Sequence, residues 1–390
     1  MLEHLGIAVR DAAATTDLFQ LLLGFDRYKI ERVEREGVAT HFLDAGNTKV
    51  ELLEATRPDS PVGKFLEKRG EGLHHVAFAV RDLAAEMARL REAGIPLLAD
   101  EPKRGADGQR ICFIHPKATA GVLVELCEYA PESLEPEWVG RDGGRLAAYS
   151  LGREDAPPLL ALHSAAGSAE LDLRRLAAEW SRHRRVLLVD FSGHGRSDAF
   201  AGRTFTFDDF IADAVAALDH FGAPQADVFG FSMGGGVALG LAAHHPARVR
   251  RLAVHGVNVQ WDEDEVRQMV GAMQPDAIRQ HAPRWAERLA ETHGTDAEGR
   301  ERWPALMDQM EWFTRALPER HFPDAMLAGI RQPTLVSHGD ADRYFALRHP
   351  LHLRETLPDA RLAVHPGLDH PIQGADPRRL AALILEHFEG

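Results

Sequence analysis

Two sets of residues in this chain have types and spacings that could do chemistry. The first is repeated. His4 opens the string EHLGIAVRD at 3–11, and His75 stands in the similar string HHVAFAVRD at 74–82. Glu51 sits within KVELLE at 49–54, and Glu125 within LVELCE at 123–128. A carboxylate in the middle of an apolar strand faces either solvent or an interior. In an interior it must be paired or bind a cation, because an isolated buried charge costs several kcal/mol or more. Taken singly, each of these residues reads as a strand-end histidine or an outward glutamate. Taken as a repeated set, they read as two imidazoles and two carboxylates aimed at one place. That donor set suits a divalent ion of borderline softness: Co, Mn, Zn, Ni or Fe.

The second set is built on Ser232. GFSMGGG at 230–236 follows the apolar run ADVFGF and precedes the helical GGVALGLAAHH. A G-x-S-x-G string between strand and helix forces a tight turn that exposes the serine as a nucleophile, with small residues needed on either side. The helix N-terminus beside it favours anions. A base and an orienting acid are expected after the serine in the order acid, then histidine. SHGDADRYF supplies Asp342, with Asp340 as rival, and HPGLDHPI supplies His370. Both follow predicted strands, which brings them to the edge of the sheet where Ser232 lies. His365 and Asp369 are read as structural neighbours.

The elements that must position these residues divide the chain. Its 390 residues exceed one small domain. In the first part each repeat runs from a strand through a helix (AAATTDLFQLLLGF, then LAAEMARLREAGI) ending at Gly24 or Gly94, and returns to the glutamate strand. Residues 1–130 thus hold two copies of a strand–helix–strands unit. APESLEPEWVGRDGG follows as a linker, 131–137, running into a hairpin. From 138 to 390 short, nearly continuous apolar runs alternate with helices: PLLALH, RVLLVDF, ADVFGF, RLAVHG, PTLVSHG and ARLAVHPG. That alternation predicts a parallel sheet covered on both faces. Residues from about 261 to 330 read as helical without strands, and are expected to form a cap inserted between two strands.

Residues 1–130 resemble the vicinal-oxygen-chelate superfamily and, within it, methylmalonyl-CoA epimerases. The similar strings are GNTKVELLE, DSPVGKFLEKRGEGLHHVAFAV, DEPKRGADGQRICFIHPK and GVLVELCE. The resemblance implies paired βαβββ modules around a metal held by His4, Glu51, His75 and Glu125, the residue at position 51 being glutamine in some members. It implies α-proton transfer on a 2-substituted acyl-CoA, with Glu125 in one transfer. Some members carry a further glutamate on an earlier strand, where this chain has Thr40 and His41 in GVATHF. Lys103 and Lys117 are candidates to meet CoA phosphates. Residues 138–390 resemble the α/β-hydrolase fold family, a doubly wound sheet with a helical cap, and DFSGHGRSD at 190–198 is another familiar element. The family's spacing favours Asp342 as the acid. The oxyanion hole is expected from the backbone N–H groups of Met233 and Ala165. Many members carry His-Gly where this chain has His163-Ser164.

The leading expectation is a bifunctional enzyme: a metal-dependent epimerase joined to a serine hydrolase of esters or thioesters. A second reading takes His4, His75 and Glu125 as a two-histidine, one-carboxylate iron site of extradiol type feeding a C–C or ester hydrolase. In a third, the first part only binds a ligand or dimerises beside a single esterase. A formal net charge of -14 argues against nucleic-acid binding. No apolar run is long enough to span a bilayer, and the start MLEHLGIAVRD lacks a secretory pattern, so the cytoplasm is the expected compartment. Cys112 and Cys127 are too few for a disulfide framework. All lysines (Lys29, Lys49, Lys64, Lys68, Lys103, Lys117) precede residue 118, either by drift or as a rim for ligand phosphates. The expected partners are a small acyl-CoA or ester and, as a homodimer, a second copy of the chain.

Overall fold

The repeated VRD strings turn into helix starts. In the computed structural model, Asp11 caps α1 (Ala12–Leu23) by accepting from the Ala14 N–H, and Asp82 caps α3 (Leu83–Glu92) by accepting from Ala85. A short polar side chain that satisfies an orphan N–H fixes where a helix begins. Gly24 closes α1 in the left-handed region, at φ 69°. The structure describes residues 2–45, 48–80, 82–106, 109–129, 134–141, 144–198, 204–319 and 322–390. The chain divides into two compact units, Met1–Glu132 and Ser133–Gly390. Part of the expected linker, 131–133, lies outside the described residues.

The first unit contains β1 (Leu2–Val9), α1, β2 (Asp26–Val33), β3 (Val38–Asp44), β4 (Lys49–Ala55), α2 (Pro61–Arg69), β5 (Gly72–Ala79), α3, β6 (Lys103–Arg104), β7 (Gln109–Ile114) and β8 (Val124–Tyr129). One sheet runs in the order β2-β3-β4-β1-β5-β8-β7-β6. Its two halves are copies of each other: β1 pairs β4 in parallel, β5 pairs β8 in parallel, and β1 meets β5 antiparallel at the centre. Alternation along the strands sorts the side chains by face. On β4, Val50 and Leu52 join a core with Phe19 of α1, while Lys49 and Glu51, alternating with them, take the other face.

The second unit contains β9 (Glu137–Arg141), β10 (Gly144–Leu151), β11 (Pro158–Leu162), α4 (Arg174–Trp180), β12 (Arg185–Val189), α5 (Phe207–His220), β13 (Ala226–Phe231), α6 (Met233–His244), β14 (Val249–His255), α7 (Glu263–Ala272), α8 (Pro275–His281), α9 (Pro283–His293), α10 (Trp303–Arg315), α11 (Asp324–Leu327), β15 (Thr334–Gly339), α12 (Arg348–Thr356), β16 (Ala360–His365) and α13 (Pro377–Glu389). The sheet order is β16-β15-β14-β13-β11-β12-β10-β9, parallel from β16 to β12, with β10 and β9 antiparallel at one edge. The apolar runs are continuous because both faces are buried. Leu160 and Leu162 pack in one core with α5 and α6, and Leu159 and Ala161 pack in the other with α4 and α13. Helices α7 to α11 come between β14 and β15, as the cap reading expected. Trp303 is buried in that core, whereas Trp285 and Trp312 are partly exposed. Among the described residues no helix is long and apolar enough to cross a membrane.

Candidate functional site

The four repeated residues of the first unit come together on the polar face of its sheet, and all are buried. His4 Nε2 lies 2.8 Å from His75 Nε2. Glu125 Oε2 lies 3.1 Å from each of those two nitrogens. Donors held about 2.1 Å from a shared ion stand roughly 3.0–3.4 Å apart; the two edges to Glu125 fall in that range and the edge between the imidazoles is slightly shorter. Glu51 approaches from the other edge of His4, with Oε1 3.5 Å from Nδ1, and one donor atom each from His4, Glu51 and His75 fall within 4.8 Å. Two nitrogens and two carboxylate oxygens fit the borderline ions named above.

The central strand pair supplies a second layer of residues. Leu2 pairs with Phe78 and His4 with Ala77, so Glu3 is an extra residue on β1. Gly6 pairs with His75 and Ile7 with Leu73, so His74 is an extra residue on β5. Such bulges turn two successive side chains toward one side. Here each extra residue holds the outer nitrogen of the histidine that follows it. Glu3 Oε2 accepts from His4 Nδ1, and His74 Nδ1 meets His75 Nδ1 at 3.0 Å. Gripping Nδ1 fixes ring orientation and leaves Nε2 for the ion. Glu3 is held in turn by Lys49 Nζ at 3.0 Å and Gln109 Nε2 at 2.8 Å. Glu3, His74 and Gln109 have no place in the sequence reading, and Lys49 enters it only as one of the lysines ahead of residue 118. The sequence signal for Glu3 and His74 is their position before each repeated histidine; Gln109 carries none.

The electrostatics of this cluster favour a cation. Burial works against charge on His4, yet the carboxylates of Glu51, Glu125 and Glu3 outweigh it and push the imidazole up to about 10. Burial would raise Glu125, but the His4 and His75 rings pull it down to about 2. Burial pushes Glu51 up, opposed by His4 and Lys49.

Other sequence expectations sort differently. His41 turns away from this face: its Nδ1 meets Thr16 of α1 at 3.1 Å. Thr40 is buried on β3, opposite Leu53, and shares the face of Phe42 and Glu51. The lysine rim is corrected at Lys49, which is 2% exposed and belongs to the interior. Lys103 and Lys117 are exposed on the surface. Both cysteines are buried and unbridged.

In the second unit Ser232 occupies the turn between β13 and α6 with φ 53° and ψ -118°. A Cβ on Gly230 would fall 2.3 Å from the Gly234 carbonyl oxygen, and one on Gly234 would fall 2.4 Å from that of Leu162. The glycines are therefore needed by close approach of backbone to backbone. His370 Nε2 lies 3.0 Å from Ser232 Oγ, and His370 Nδ1 lies 2.8 Å from Asp342 Oδ2. Burial would raise the Asp342 carboxyl, but His370 and the N–H groups of Phe345 and Tyr344 pull it down. Asp340 instead accepts from the Gly367 N–H, and Asp369 pairs with Arg343. Phe345 and Tyr344 pack their rings edge-on to His370. The arrangement can deprotonate a serine hydroxyl and hold the resulting imidazolium.

Comparison with known proteins assigns each unit to a family. Residues 3–113 match the Glyoxalase/Bleomycin resistance protein/Dioxygenase superfamily, and residues 157–377 match the alpha/beta hydrolase fold family. The chain belongs to both families, one in each unit. The glyoxalase domain is 40% identical over 127 residues to the ethylmalonyl-CoA/methylmalonyl-CoA epimerase of Cereibacter sphaeroides, covering 32% of this chain and 95% of that protein. The hydrolase domain is 28% identical over 256 residues to the 2-hydroxymuconate semialdehyde hydrolase of Pseudomonas sp. strain CF600, covering 58% of this chain and 85% of that protein. It also shares its fold with the solved meta-cleavage product hydrolase CumD of Pseudomonas fluorescens IP01, at TM-score 0.56 and 19% identity over 66% of this chain and 98% of that one.

Proposed function

We propose that the chain is a bifunctional enzyme: a metal-dependent epimerase of a 2-substituted acyl-CoA such as methylmalonyl-CoA, joined to a serine hydrolase. For the glyoxalase domain the carrying observation is the triangle of His4 Nε2, His75 Nε2 and Glu125 Oε2. A divalent ion held by His4, Glu51, His75 and Glu125 would stabilise the enolate that forms when a thioester loses its α-proton. Glu125 accepts or returns that proton at its carboxylate. Glu3 and His74 keep the two imidazoles oriented. Thr40, a hydroxyl of ordinary acidity, is a poor partner for the second transfer.

For the hydrolase domain the carrying observation is the Ser232–His370–Asp342 chain. Ser232 attacks an acyl carbon, His370 takes its proton and returns it to the leaving group, and Asp342 orients the ring. The N–H groups of Met233 and Ala165 are assigned to the oxyanion. Deuterium exchange at C2 of methylmalonyl-CoA, with metal analysis of the purified protein, tests the first half. Exchange should survive Ser232→Ala and vanish in Glu125→Ala; its absence in the metal-loaded wild type refutes the epimerase assignment. Loss of p-nitrophenyl ester turnover in Ser232→Ala and His370→Ala tests the second half.

One observation favours a second reading. His4, His75 and Glu125 converge more tightly than Glu51 does, and two histidines with one carboxylate also suit an iron that activates oxygen. The hydrolase relatives are named for 2-hydroxymuconate semialdehyde, which would place ring cleavage before C–C hydrolysis. Oxygen uptake with a catechol by the iron-loaded protein, without exchange of any acyl-CoA, would select this reading.

A further inference from the structure

The loop after β11, residues 163–167, holds its central peptide from several sides. His163 is wholly buried. Its Nδ1 donates to the Ser164 carbonyl at 2.7 Å, and its Nε2 accepts from the Phe191 N–H at 3.0 Å. The Gly167 N–H also reaches the Ser164 carbonyl, at 3.2 Å. A trans peptide is planar with C=O and N–H opposed. Pinning the Ser164 oxygen therefore aims the Ala165 N–H the other way.

Both neighbours of Ala165 are tied to residues outside the loop. The Ser164 N–H and hydroxyl donate to Asp172 Oδ2 at 2.9 and 2.7 Å. The other oxygen of Asp172 accepts from Gln373 at 2.7 Å, three residues beyond His370. Ala166 is a non-glycine residue in the left-handed region, at φ 56°, a conformation that persists only when its surroundings enforce it. Its carbonyl accepts from His293 Nε2 at 3.0 Å, and His293 Nδ1 accepts from the Gly195 N–H at 2.9 Å. His293 ends α9 of the cap. Arg302 fastens the same corner by donating to the carbonyls of Gly195 and His293, both at 3.1 Å.

We propose that Asp172 and His293 are positioning residues that clamp the Ala165 N–H in place, Asp172 by tying Ser164 to the His370 loop and His293 by tying Ala166 to the cap. Ser164, which donates to Asp172 through both its N–H and its hydroxyl, is then a tether. The clamp rests on the serine-hydrolase reading above.

The test uses the full-length protein with p-nitrophenyl butyrate turnover and fluorophosphonate labelling of the active-site serine. Asp172→Asn keeps the shape but cannot accept from all three donors. It should lower kcat and the labelling rate about 10- to 100-fold with little change in KM, because a displaced oxyanion donor is felt in the transition state. Ser164→Gly should do the same, and the double variant should lose less than the product of the two. His293→Phe should lower kcat similarly, and His293→Gln, which keeps a donor toward Ala166, should recover most of it. Tryptophan-fluorescence melting separates these effects from unfolding; if Asp172→Asn does not fold, Ser164→Gly carries the test. Wild-type kcat and labelling in Asp172→Asn, Ser164→Gly and His293→Phe, with Ser232→Ala inactive, would overturn the clamp and leave the serine mechanism standing. Full turnover in Ser232→Ala would instead remove the mechanism itself, and the clamp with it.

Discussion

Gly6→Ala should disable the proposed metal centre without replacing any of its ligands. Gly6 lies on β1 opposite His75. A Cβ built there falls 2.2, 2.4 and 2.6 Å from Cε1, Nδ1 and Nε2 of the His75 ring. Carbon contacts need roughly 3.5 Å, so the ring must retreat by about 1 Å. The backbone at Gly6 is outside the positive-φ region, so alanine fits the strand itself. His75 Nε2 now stands 2.8 Å from His4 Nε2 and 3.1 Å from Glu125 Oε2. Coordination tolerates only about 0.2 Å of error. Losing a second-layer partner typically costs about 10- to 100-fold in metal affinity, and displacing a ligand should cost at least that much. Competition with a fluorescent chelator measures the affinity, and elemental analysis gives the metal content. Hydrogen exchange across β1 and β5 serves as the folding control for the first unit. Wild-type affinity and content in Gly6→Ala, with exchange protection intact, would refute the assignment of His75 as a ligand.

Lys49→Met should destabilise the first unit by about 3–5 kcal/mol, because it leaves Glu3 and Glu51 buried without their ammonium partner; hydrogen exchange across β1 and β4 would register it while the tryptophan signal of the second unit stays unchanged. Acid should weaken the second unit. Burial pushes His163 and His255 down to about 3 and His293 down to about 4. The unfolded chain protonates histidine near 6.5, so stability present above that pH is lost as pH falls toward these values. Burial also raises Asp172 and Asp213 to about 6, which works in the opposite sense between about pH 6 and 4. Burial also lowers His194, His338, His349, His365 and His387 and raises Asp190 and Asp227, so lowered histidines outnumber raised carboxylates and the net is a loss of stability as pH falls below about 6.5. Every tryptophan lies in the second unit, so urea unfolding followed by tryptophan fluorescence at pH 7 and pH 5 isolates it; equal or greater stability at pH 5 would contradict the assignment.

The primary structure by itself determined the repeat, the Ser232 turn and the order of strands and helices, because these depend on local chemistry. An aspartate that caps a helix and glycines that let two backbones touch act over a few residues. It also pointed to His4, Glu51, His75, Glu125, Asp342 and His370, since recurrence or position after a strand marks them. Only the tertiary structure decided that Glu3 and His74 are inserted by bulges, that Lys49 is an interior charge, and that His41 faces a helix. Each of those outcomes depends on register: one extra residue reverses which side of a sheet a side chain takes. The holding of the Ala165 peptide was equally hidden, because Asp172, His293 and Gln373 come from distant segments and meet only when the sheet and the cap close around them.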